Sequence, residues 1–141
     1  MEVFTELIKY EPGFLDRPLA ELVPLRFLGE VAVDAYKALI KRIDNIPMAQ
    51  EEREAKLKDG QDAGKALLSI EGKIGELYSA IPKTIGKDVK EEETAFFKIE
   101  KAGIDRRQAS QSQQIAQHPE EVKEVIKEAE ENDDIPTKIF V

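Results

Sequence analysis

The chain has 141 residues, of which 41% are hydrophobic, 35% charged and only 6% aromatic, with no Trp, no Cys and a formal net charge of -8. That length holds one domain, or one small domain plus an extended helical element, and excludes two full-sized ones. Scarce aromatic residues disfavour an all-β fold and point to an all-α class; absent Cys excludes disulfides and thiolate metal sites; and the acidic balance argues against unspecific nucleic-acid binding, which draws on surface Lys and Arg.

The charge is unevenly spread. Residues 1–81 carry 11 basic and 15 acidic groups, residues 82–118 carry 7 and 6, and residues 119–141 carry 3 and 8, so the middle segment is not acidic. The N-terminus, Met1 to Glu6, lacks the basic and apolar regions of a signal peptide. The most apolar window, Leu19 to Ile43, contains Glu21, Arg26, Glu30, Asp34, Lys37, Lys41 and Arg42, too many charges for a membrane span. A soluble, cytoplasmic protein with no membrane partner is expected.

Residues 1–24 contain Pro12-Gly13, Pro18 and Pro24, which allow Phe4 to Tyr10 a short helix before an irregular arm packed on the first long helix. That helix is predicted over Leu25 to Ile43, with Leu28, Val31, Ala32, Ala35, Leu39 and Ile43 on one face, stopped by Asn45 and Ile46-Pro47. A second helix is predicted over Gln50 to Ala80. Its apolar positions Ala63, Leu67, Ile70, Ile74, Leu77 and Ile81 step by four and three alternately, a heptad seam. The seam must be buried, either in an antiparallel hairpin with the preceding helix or against a second copy in a homodimer. Gly60, Gly64, Gly72 and Gly75 interrupt the helix, each at a cost of about 1 kcal/mol relative to Ala, which close approach by a packing partner explains.

Residues 82–92, with Pro82, Gly86 and dense charge, read as a linker between a helical hairpin or dimerisation region (1–81) and a C-terminal region (93–141). The latter predicts a helix-turn-helix: a helix from Thr94 ending at Gly103, an apolar plug at Ile104, and Asp105 as N-cap of a second helix. Ala109, Ile115 and Ala116 form the inner face of that second helix. The outer face is assigned Arg106, Arg107, Gln108, Ser110, Gln111, Ser112, Gln113 and Gln114. Gln pairs with adenine edges, Arg with guanine edges or phosphates, and Ser with phosphate oxygens, so Arg106, Arg107, Gln108, Ser110, Gln111 and Gln114 are the candidate double-stranded DNA contacts. Pro119 then opens a third helix with Val122, Val125, Ile126 and Ala129 on one face, ended by Asn132-Asp133-Asp134-Ile135-Pro136.

The run Gly103-Ile104-Asp105-Arg106 to Ala109, Ile115-Ala116 and Pro119-Glu120-Glu121-Val122 resembles the central helix-turn-helix of the ParB partition proteins. It is also similar to small proteins of phages, plasmids and other mobile elements, in which an Ile-Gly-Glu-Leu helix (here Ile74 to Leu77) precedes such a turn and an Asp-Ile-Pro-Thr stretch (here Asp134 to Thr137) follows it. The ParB resemblance implies a regulatory or partition-like role on DNA, and the second, whose relatives supply no known activity, implies only a mobile-element setting. The nucleotide-binding motifs of ParB proteins have no equivalent here, and Asp105 stands where their turn has Ser, so CTP-dependent clamping is not implied.

Enzymatic features are lacking. There is no Gly-x-x-x-x-Gly-Lys-Ser/Thr or Gly-x-Gly-x-x-Gly loop for a nucleotide cofactor, and the single His118 has no local catalytic partners. The runs Glu91-Glu92-Glu93 and Glu130-Glu131 point around helices rather than converging on a metal. No cofactor, metal or catalytic residue is expected. The rival to DNA binding is a non-catalytic protein-interaction module built on the residue 63–81 seam.

Overall fold

The computed structural model describes residues 2–46, 49–80 and 106–137, and among these every regular element is helical. The order is α1 (Glu2–Tyr10), a 3-10 turn (Phe14–Asp16), α2 (Leu19–Ile43), α3 (Gln50–Ser79), α4 (Arg106–Gln117) and α5 (Pro119–Glu131). No helix among the described residues is long and apolar enough to cross a membrane.

The first long helix begins at Leu19, six residues before the predicted start at Leu25. Pro18 is its N-cap in an extended conformation, and Pro18 O accepts bonds from Glu21 N and Leu22 N at 2.9 and 3.0 Å. Pro24 lies inside the helix on its exposed side and removes one backbone donor there. Burial of Leu22 and Leu25 on the opposite side of the same turns offsets that loss.

Helices α2 and α3 form an antiparallel hairpin. Gly29 lies against Leu67, Tyr36 against Gly60, and Arg26 against Glu71, so α3 numbers rise as α2 numbers fall. At the turn, Arg53 Nε donates to Asp44 Oδ1 at 2.5 Å, and this bond holds the guanidinium pKa above its ordinary value. The heptad seam is therefore covered within the chain: Ala63, Leu67, Ile70 and Ile74 are buried, Leu77 is half-buried, and Ile81 lies outside the described residues.

On α2 the buried face is Leu22, Leu25, Arg26, Gly29, Ala32, Val33, Tyr36, Ile40 and Ile43. This corrects the predicted face, because Leu28 and Val31 are largely exposed beside Phe27. The cause is that Gly29 and Arg26, which hydropathy alone assigns outward, occupy the inner side. A Cβ at Gly29 would stand 3.0 Å from both Phe4 Cζ and Leu67 Cδ1, so the missing side chain makes room for the α1 ring. Arg26 is buried with Glu71: Nη2 is 2.8 Å from Glu30 Oε1 and Nε is 4.0 Å from Glu71 Oε2. Such a buried pair repays its desolvation only when the charges stay together, so loss of one partner is far more damaging than loss of both. Above it, Thr5 Oγ1 and Tyr36 Oη share a buried hydrogen bond of 2.5 Å that ties α1 to α2.

One core joins these elements. Ala109 of α4 and Ile135 after α5 belong to the same buried cluster as Phe4, Leu22, Tyr36, Leu67 and Ile70. The sequence division between residues 1–81 and 93–141 is thus not a division of the core, and the linker 82–92 lies outside the described residues.

Two leucines of α2 separate the observed face from the predicted one. Leu22→Ala is expected to lower unfolding free energy by about 2–5 kcal/mol in urea titrations, and Leu28→Ala by under about 1 kcal/mol; equal effects would contradict the observed rotation of α2.

Candidate nucleic-acid interface

Helix α4 is held by one unusually close crossing. Its inner face is Ala109, Ser112 and Ile115, all buried, and it packs chiefly on the C-terminal half of α3. Gly75 is the contact point: a Cβ there would collide with the Ser112 carbonyl group and the Gln113 amide nitrogen. Because these are backbone atoms, no side-chain rotation could relieve the clash, and only Gly fits. At Gly72 the neighbour is Ile115 Cγ2 at 3.4 Å, an ordinary contact. Gln113 Nε2 donates to Ser79 Oγ at 3.0 Å one turn further along α3, which fixes the roll of α4 about the crossing.

With the inner face anchored, the outward face follows from helical geometry. Arg107, Ser110 and Gln114 are exposed on it and Gln111 is half-buried at its edge of contact. Gln108 is half-buried and turns toward the flank, about 100° from Arg107 at one residue's rotation. Arg106 starts the helix, and its side chain lies outside the described residues. Ser112 and Gln113 are corrections: the sequence placed them outward, whereas Ser112 is wholly buried and Gln113 bonds across to α3. The sequence put only Ala109, Ile115 and Ala116 on the inner face, and the Gly75 crossing brings Ser112 into it as well. One exposed residue was missed. Gln117 lies three positions beyond Gln114 on the same outward side and extends the stripe by a turn.

The first helix and turn of the predicted helix-turn-helix, Thr94 to Asp105, lie outside the described residues. The second and third are present as expected in order, α4 and α5 being separated only by His118, with Pro119 at the first position of α5. His118 is exposed, its Nδ1 3.7 Å from Glu121 Oε1. Acidic groups dominate α5, where Lys123 and Lys127 pair with Glu120 and Glu131. Among the described residues no three His, Cys, Asp or Glu side chains gather in a geometry that could hold a metal ion.

Compared with protein-family models, curated proteins and solved structures, the chain matches none.

The two sides of the crossing respond differently to change. Gly75→Ala should lower unfolding free energy by about 3 kcal/mol or more, since the new methyl meets backbone. Ser112→Ala should leave stability within about 0.5 kcal/mol or raise it, because the buried Ser112 hydroxyl has no hydrogen-bond partner among the described residues. Thermal and urea unfolding of both variants measure this.

Proposed function

We propose that the protein binds double-stranded DNA through the outward face of α4, as a non-enzymatic regulatory or partition-like factor acting in the cytoplasm on a mobile element. The observation that carries the reading is the joint exposure of Arg107, Ser110 and Gln114, with Gln111 beside them, on a helix whose other side is locked to α3. A rigid helix presenting uncharged hydrogen-bonding groups and an Arg suits the major groove, which admits one helix and displays donors and acceptors on base edges. The surface is otherwise rich in Glu and Lys, and the net charge of -8 leaves few phosphate contacts. Affinity then depends on a small number of cations, and specificity on the amides. Arg106, Gln108, Gln111 and Gln117 extend the contact set around the central three.

The test begins with selection of duplexes from a random pool, followed by fluorescence anisotropy as a function of salt. Arg107→Ala should weaken binding to all duplexes and reduce the log–log salt slope by about 1 if it contacts phosphate. Gln114→Ala should cost about 1–3 kcal/mol on the selected sequence and relax preference at one position. Failure of the intact protein to retain any duplex at low salt would overturn the reading.

A second reading, a non-catalytic protein-interaction module, is favoured by a different surface from the one the sequence suggested. The residue 63–81 seam is occupied inside the chain where it is described, whereas Phe27, Leu28 and Val31 present apolar area on α2. A homodimer would present two α4 helices to one duplex in the first reading and would be joined through the α2 surface in the second. Sedimentation equilibrium of the wild type and of Phe27→Asp distinguishes them: a monomer in both, with DNA bound, leaves the α2 surface without a role.

A further inference from the structure

The segment after α5 closes back on the hairpin in an unusual way. Asp133 adopts a left-handed φ of 52°, and Asp133 N and Asp134 N bond to Glu130 O and Ala129 O at 3.4 and 2.8 Å, so the helix ends in a Schellman turn. The chain then enters the groove between α2 and α3, where Ile135 and Pro136 are buried. Two α3 glycines make the seat. A Cβ at Gly60 would stand 2.6 Å from Ile135 Cδ1 and one at Gly64 would stand 2.5 Å from the Pro136 carbonyl oxygen. Gln61 Nε2 donates to Asp134 O at 3.1 Å, and Lys65 pairs with Glu130.

This strap divides the α2–α3 groove. On one side lies a cleft of about 340 Å³ bordered by Lys41, Arg53, Leu57 and Asp133, and on the other a cleft of about 380 Å³ bordered by Glu30, Asp34, Glu71 and Thr137, with Lys37 reaching both. In contrast, α5 itself has no buried residue and touches α3 and α4 only lightly. Among the described residues its firmest attachments are at its two ends, the His118 junction with the anchored α4 and the seated strap, with Val122, Val125, Ile126 and Ala129 half-buried between them.

We propose that residues 133–137 are a reversible latch on the α2–α3 groove, whose release frees α5 as a unit and joins the two clefts into one continuous groove while α1 to α4 stay folded. The energetic contrast supports it: the inner face of α4 is fully buried, whereas among the described residues α5 buries its apolar side chains Val122, Val125, Ile126 and Ala129 only in part and is tied down at its end by Ile135, Pro136, the Gln61 amide bond and the Lys65–Glu130 ion pair. Segments with few buried contacts open locally, below the global unfolding free energy.

Amide hydrogen exchange of the full chain, read by mass spectrometry, tests this independently of any DNA activity. In Ile135→Asp, exchange across α5 and the strap should accelerate by at least about tenfold, while the slow amides of α2, α3 and α4 change by less than about twofold. Gly64→Ala, which keeps Ile135 but pushes against the Pro136 carbonyl, should give the same pattern with a smaller amplitude. Unchanged α5 exchange in both variants would overturn the latch. So would acceleration of the α2 and α3 core in step with α5 in the milder Gly64→Ala variant, because the strap would then be an inseparable part of the core.

Discussion

Backbone approach to α3 is the constraint on which the rest of the molecule depends. At Gly75 the backbone of another helix rests where a side chain would be, at Gly64 the Pro136 carbonyl of an extended segment does the same, and at Gly60 the Ile135 side chain takes that place. Each mid-helix glycine weakens α3 in isolation by about 1 kcal/mol. The same absence of side chains lets α4 and the strap sit close enough for Ala109, Ile115, Ile135 and Pro136 to be buried. A long helix that is locally poor as a helix thus becomes the spine on which both ends of the C-terminal region are seated.

The two seatings have different mechanical consequences. Backbone against backbone at Gly75 fixes the depth of α4, and the Gln113–Ser79 bond fixes its roll, so the outward face is set by packing rather than by the preferences of its own side chains. The strap is held by side chains entering a notch and by polar contacts at its margins. Rigid presentation of α4 and conditional attachment of α5 therefore coexist on one helix. For the DNA contact proposed for α4 this matters, because rigid elements hold contact groups more accurately than loops do.

Buried charge adds a second constraint on the hairpin. Arg26 and Glu71 are buried on facing sides of α2 and α3, with Glu30 also 2.8 Å from Arg26, and a slip of one helix along the other would part the two buried opposite charges. The apolar positions alone would accept neighbouring registers more readily. The same pair explains why hydropathy misjudged the face of α2: a charged residue and a glycine lie inward there, while Phe27, Leu28 and Val31 lie outward.

Much of the architecture was legible from local signals. The end of α2 at Ile43 and of α3 near Ala80, the heptad of α3, Pro119 at the start of α5 and the Asn-Asp-Asp end of that helix all depend on backbone chemistry within a few residues, which the sequence states directly. The start of α2 was not, since burial of Leu22 and Leu25 outweighs the effect of Pro24 and that burial is a tertiary event. The candidate site divides in the same way. An amide-rich helix carrying Arg107, Gln111 and Gln114 was determined by the sequence alone. Which of its polar residues face outward was decided only when Gly75 met Ser112, because helix roll is set by the partner surface and not by the helix that carries the residues.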